Sequence, residues 1–310
     1  MRFNRLRSVV LVLGCIFIFN PIPCWADNLR LLVVLSYDLP AYQSFANTLT
    51  KNLPESVQAT VLHNPEKVAE QPQTDLIVSV GMRASLSAVS QTKVPVFVVM
   101  IPKVSYEQLL VQSPKQSRAP LISTVYLDQP WERQLNFIQA ILPEHRRIGL
   151  LYSAQTLADL TLLRKQAAKL DISLIDKRVL SEDKLFSTLY DVLDSSDILL
   201  SLPDTTIYNS TSIRNILLSC YRSGIPFIGL SQTYVNAGAI GAVFSSQQQL
   251  SEQVVEAIRL FARNGNLPKP EYSHDFTISL NPEVARSLDI KLSSPDIVRS
   301  IMNSENRNIP

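Results

Sequence analysis

Short apolar runs that alternate with helical stretches, and then recur in the same order, constrain this chain more than any other feature. Leu31-Leu32-Val33-Val34-Leu35 is a five-residue apolar run bounded by polar residues, too short for a helix. Ala41 to Leu53 follows, with Tyr42, Phe45, Ala46, Leu49 and Leu53 at helical spacing. Val57 to Leu62 alternates as a strand does, and Asp75 to Gly81 and Val94 to Ile101 read as buried strands flanking a helix over Met82 to Gln91. Continuous apolar strands separated by helices predict a parallel sheet covered on both faces.

The plan then repeats. Arg147-Ile148-Gly149-Leu150-Leu151-Tyr152-Ser153 echoes Arg30-Leu31-Leu32-Val33-Val34-Leu35-Ser36, and Ser196-Asp197-Ile198-Leu199-Leu200 echoes Thr74-Asp75-Leu76-Ile77-Val78. Ile225-Pro226-Phe227-Ile228 answers Val94-Pro95-Val96-Phe97. Three matches in one order predict two α/β lobes of similar topology. The 310 residues are enough for two ordinary domains, and 46% hydrophobic content supplies a core for each. We expect the chain to cross between lobes three times, near Ser123 to Asp128, Gly238 to Phe244 and Tyr272 to Ile278. The first lobe would hold residues 27–122 and 245–271, the second 123–244 and 272–295, with 296–310 as a flexible tail. Gln248 to Arg263 is an amphipathic helix closed by Asn264-Gly265.

Arg2, Arg5 and Arg7, the apolar stretch Val9 to Phe19 and the small residues of Cys24-Trp25-Ala26 have the order of a secretory leader cleaved after Ala26. A lipoprotein leader modified at Cys15 is the rival reading. Cleavage would leave 284 residues with 26 basic and 27 acidic side chains, a net charge near −1. Such a surface offers nothing to nucleic acid. Only Cys220 would remain of three cysteines, so no internal disulfide is expected, and Cys220 reads as a buried small apolar residue.

Ligands of parallel α/β sheets bind beyond the carboxyl ends of the strands, where helix N-termini present free N–H groups. Here those places carry Tyr37 and Asp38; Gly81, Met82 and Arg83; Asp128; Tyr152 and Ser153; Asp204, Thr205 and Thr206; Ser231 and Gln232. Asp204 has an equally direct role as a helix cap, and Gly81 as a backbone necessity. Tyr37, Tyr152 and Phe244 either sandwich a flat ligand or pack in the core. Trp131 either covers the cleft or packs between lobes. An acid near an ammonium group and donors near a carboxylate would suit an amino-acid-like ligand, with Asp204 the acid and Arg83, Ser153, Thr205 or Thr206 the donors.

Enzyme readings find little. Gly229-Leu230-Ser231-Gln232-Thr233 lacks the second glycine of a nucleophile elbow. His63, His145 and His274 are scattered, which leaves no metal-ligand spacing, and no glycine-rich nucleotide loop is present. No catalysis, metal or cofactor is expected.

From about Leu31 to Ile290 the chain resembles the ABC-transporter substrate-binding protein family of the type I periplasmic-binding fold. The residues that carry this are Thr74 to Gly81, Arg147 to Tyr152, Leu202-Pro203-Asp204-Thr205-Thr206, Gly224 to Ile228, Val235 to Ala239 and Ile278 to Ile290. The resemblance implies a monomeric periplasmic protein that closes two lobes on a small polar or aromatic amino-acid-like molecule and presents it to an ABC permease. The alternative is a module of the same fold that feeds a sensor or outer-membrane receptor. Departures fall at the pocket. Ile101-Pro102-Lys103 stands where the family usually has a Thr-Asp pair, and Ser231-Gln232-Thr233 where it tends to place acids.

Overall fold

The computed structural model describes residues 28–113 and 121–307. Strand β1 (Leu29–Leu35) leads to helix α1 (Pro40–Asn52), β2 (Val57–Leu62), β3 (Leu76–Val80), α2 (Met82–Gln91), β4 (Val96–Val99), α3 (Lys103–Gln112) and β5 (Ile122–Tyr126). The chain crosses and forms α4 (Trp131–Ile141), β6 (Arg147–Tyr152), α5 (Leu157–Lys169), β7 (Ser173–Arg178), α6 (Leu185–Leu193), β8 (Ile198–Leu200), α7 (Ile213–Arg222), β9 (Phe227–Gly229), α8 (Gln232–Ala237) and β10 (Gly241–Phe244). It returns as α9 (Gln247–Asn264) and β11 (Glu271–Tyr272), then crosses again to β12 (Thr277–Leu280), α10 (Pro282–Ser287) and α11 (Pro295–Arg307).

Two six-stranded sheets result, ordered β11-β5-β4-β3-β1-β2 and β12-β10-β9-β8-β6-β7. Each strand of one sheet thus has its counterpart in the other, as the internal repeat implied. Only the last edge differs, since β11 runs parallel to β5 and β12 antiparallel to β10. The first sheet is covered on one face by Phe45, Leu49, Val254 and Ile258 from α1 and α9. Ala88, Val89, Tyr106 and Leu109 from α2 and α3 cover the other. The second lobe has its own core around Leu135, Ile138, Leu163, Leu189 and Ile216. A capping box starts α9, with the Ser246 hydroxyl accepting from the Gln249 N–H and the Gln249 side chain accepting from the Ser246 N–H.

Three boundaries differ from the sequence expectation. Ser123 and Thr124 pair with Phe97 and Val98 inside the first sheet, so the first crossing is residues 127–130. Tyr272 pairs with Tyr126, whose ring it meets edge-on at 4.9 Å, so the third crossing is 273–276. The second is Ser245 and Ser246. The segment from residue 296, expected to be a flexible tail, forms most of α11, and Val298 and Met302 are buried in the second lobe's core. Two apolar residues one turn apart are a weak sequence signal, but they suffice where a neighbouring helix completes the groove. The leader, Cys15 and the cleavage point lie outside the described residues.

The repeat extends to an ion pair. At the base of β1 the Arg30 guanidinium bonds Asp75 at 2.7 Å, and at the base of β6 Arg147 bonds Asp197 at 2.6 Å. The same carboxylates accept the Arg30 and Arg147 backbone N–H groups, so each ties the start of a central strand to the entry of its neighbour. The arginine side-chain bonds hold both carboxyls below their ordinary range. A depressed folded pKa means that the stabilisation is present above the unfolded value of about 4 and is lost as pH falls through the folded value. The pairs face solvent, so the effect is small. A double Asp75→Asn, Asp197→Asn variant should therefore trail the native protein in urea denaturation at pH 6, with the gap closing between about pH 4 and 2. A gap independent of pH would show that the carboxylate charge contributes nothing.

Candidate functional site

The carboxyl ends of the strands in both lobes turn toward each other beside the three crossings. Between them lies a cavity of about 280 Å³. Pro102, Leu127 and Asp128 form its first-lobe side. Leu202, Pro203, Tyr208, Leu230, Tyr234, Val243 and Phe244 form the apolar wall of the second lobe. The crossing residues Gln129 and Ser245, with Gln134 from the first turn of α4, close the hinge side.

Five of the residues singled out from sequence line this cavity: Asp128, Asp204, Thr205, Ser231 and Phe244. Asp204 does so with its carboxylate already occupied. Buried to 2% exposure, it accepts from the Ser153 N–H at 2.9 Å, the Thr156 hydroxyl at 2.8 Å and the Thr206 N–H at 3.0 Å. It joins the loop after β6 to the turn after β8; no helix follows until α7, so Asp204 is neither the expected helix cap nor a free acid but the anchor of a turn. Asp128 is likewise engaged, accepting the Lys103 N–H at 2.8 Å and capping α3.

The other expected residues lie elsewhere. Tyr37, half exposed on the first lobe's rim, carries the Arg83 guanidinium 5.5 Å above its ring, and Arg83 is paired with Glu66 at 2.7 Å. Asp38 accepts from Gln43 and contacts His63, and these bonds hold its carboxyl low. Gly81 has φ +85°, and a Cβ there would sit 2.7 Å from the Ser36 hydroxyl oxygen, so the position demands glycine. Ser36 accepts the Ala84 N–H and caps α2, with Met82 and Arg83 in that helix's first turn. Ser153 and Thr206 face a separate hollow of about 210 Å³ with Arg178 and Leu180. Tyr152 packs against the second core, and Gln232 bonds Asn236. Trp131 is buried in the second lobe's core.

Sequence reasoning missed Leu127, Gln129, Gln134, Tyr208 and Tyr234. Tyr208 and Tyr234 flank Phe227, at centroid distances of 6.2 and 6.1 Å, the latter stacked. Burial raises both phenols' pKa, so their rings stay neutral. Gln134 had a readable signal. It sits on the buried stripe of α4 that includes Trp131, Ile138 and Ile141, and a polar residue in such a stripe is the informative exception.

The crossings are bonded to one another. Gln129 donates to the Ser245 hydroxyl at 2.9 Å, and that hydroxyl donates to the Asp275 carbonyl at 2.8 Å. Arg133 spans two of them, donating to the Gln129 side-chain oxygen Oε1 and to the Ser273 backbone carbonyl, with its guanidinium 4.6 Å over the Phe276 ring. Among the described residues no group of three His, Cys, Asp or Glu side chains could hold a metal ion.

The family model described as "ABC transporter substrate binding protein" matches residues 48–300. No curated protein matches the chain. Among solved structures, a conserved domain protein from Vibrio cholerae aligns at TM-score 0.64 and 19% identity, covering 88% of this chain and 98% of that one. An ABC domain from Streptococcus pneumonia in complex with L-Trp aligns at 0.63 and 18%, with the same coverage. A substrate-binding protein with adhesive properties from Clostridium difficile, in a ligand-free, open form, aligns at 0.66 and 14%, covering 86% and 96%. At these identities the likeness is one of fold, the two-lobed type I periplasmic-binding architecture.

Proposed function

Because the chain belongs to the ABC transporter substrate-binding protein family, we propose that it captures a small aromatic, amino-acid-like solute between its lobes. The observation that carries this is the interlobe cavity, whose walls are mainly Leu, Pro, Val and the rings of Tyr208, Tyr234 and Phe244. Cavities of this kind hold flat apolar bodies, with a few polar groups setting orientation. Family members work outside the cytoplasm and imply an ABC permease as partner, so we place the protein in the periplasm after loss of its leader. Binding favours the closed arrangement because only there do both lobes touch the solute. The L-Trp complex of the streptococcal relative supports the choice of an aromatic ligand.

The test is a thermal-shift and calorimetry screen of the exported protein, whose intact mass should begin at Asp27. Aromatic amino acids at about 100 times Kd should add roughly 2.7 kcal/mol and raise Tm by about 5–10 °C. A screen in which no amino acid or aromatic acid shifts Tm would overturn the reading.

A further inference from the structure

Gln134 is 1% exposed, lines the interlobe cavity, and its side-chain oxygen has no hydrogen-bond partner. An unpaired amide oxygen in a buried wall is costly, and a ligand group that reaches and completes it recovers that cost. Of the other buried polar groups on the same wall, the Tyr208 hydroxyl is also unpartnered and the rest are satisfied. Gln129 is bonded at both ends, Ser245 donates to Asp275, and Asp204 holds three donors. No charged group on that wall is left to meet an ion. The exposed hydroxyl of Thr205 and the half-buried Ser231 lie instead toward the open side.

We propose that Gln134 is a specificity-determining residue which hydrogen-bonds the edge of the ligand's ring. This selects heteroaromatic rings with an N–H or ring acceptor over hydrocarbon rings of the same shape. The inference rests on the solute-binding reading above. An amphipathic solute enters such a cavity with its ring deep and its charged end at the mouth, because desolvating the charge against apolar walls costs far more than exposing it. The ring edge then reaches the hinge side, where Gln134 stands. Its amide offers an acceptor or, flipped, a donor. A site built to pair with a polar group rejects the analogue that lacks it, since its own buried group is left unpaired.

The experiment compares L-tryptophan with L-3-benzothienylalanine, which replaces the ring N–H by sulfur and keeps the shape. Calorimetry on the full mature protein should give a preference for tryptophan of about tenfold or more, and Gln134→Leu should bring the ratio near one. Gln134→Met provides a second apolar variant, and the melting temperature of each reports whether it is folded. A ratio near one in the native protein, or one unchanged by both substitutions, overturns the assignment. So does equal weakening of both probes, which would place Gln134 at the solute's common end. If neither probe binds the native protein, the assignment falls. The solute-binding reading then stands or falls separately, on whether another amino acid or aromatic acid in the screen binds.

Discussion

Asp204→Ala is expected to lower the melting temperature of the ligand-free protein by roughly 6–12 °C, from a loss of about 3 kcal/mol. The substitution removes the acceptor of three hydrogen bonds and leaves the Ser153 and Thr206 N–H groups without their partner. Bonds to a charged group are each worth about 1.5–3 kcal/mol, and an orphaned buried donor adds a penalty of its own. The Asp204 backbone carbonyl also accepts from Ile207 and Tyr208, so the turn that positions the Tyr208 ring would loosen with it. Solute affinity should fall as a consequence. The order of effects separates two roles. A merely ligand-contacting acid would lose affinity and keep its melting temperature. That outcome, measured by calorimetry and scanning fluorimetry on one preparation, would return Asp204 to the role of ammonium acceptor.

Gly229→Ala should cost about 3 kcal/mol and reduce solute binding at least tenfold, although it adds one methyl group. Gly229 ends β9 beneath Tyr234, and a Cβ built there would lie 2.3 Å from the Cβ of Tyr234. That atom is rigidly attached to the backbone of α8, so relief requires the short helix itself to move. The ring of Tyr234 forms part of the cavity wall and stacks on Phe227, so a shift of α8 reshapes the pocket. Denaturant melts and calorimetry of the variant check both effects. Native affinity alongside full stability would mean that α8 is free to slide, and would remove Tyr234 from the binding wall.

Much of the architecture could be read in advance from particular residues. The paired runs at Arg30 and Arg147, and at Asp75 and Asp197, mark equivalent strands and even an equivalent ion pair. The apolar stripe from Leu250 announced α9, and Gly265 its end, while the capping box of Ser246 and Gln249 came to light in the structure. The site was legible only in outline. Strand ends pointed to the right loops, and Asp128, Asp204, Thr205, Ser231 and Phe244 do line the cavity. Tyr37 and Arg83 sit at a topologically equivalent strand end, yet they stack on each other at the rim. The sequence offers no way to see that contact, because it depends on how far the first lobe's loops stand from the second.

Period and punctuation are local properties. An apolar run, a helical stripe or a cap is decided by residues within a few positions of one another, so the sequence alone determined two repeated α/β lobes with parallel sheets, while the strand order came from the tertiary structure. Which side chain is left unpaired is decided by competition among groups far apart in the chain. Ser153 and Thr156 reach Asp204 across about 50 positions and fill its carboxylate, while the packing of α4 turns Gln134 into the wall without a partner. Val298 and Met302 become core only because α4 lies beside α11. Tertiary structure therefore settled the chemistry of the pocket, because hydrogen-bond satisfaction and burial are properties of the assembled fold.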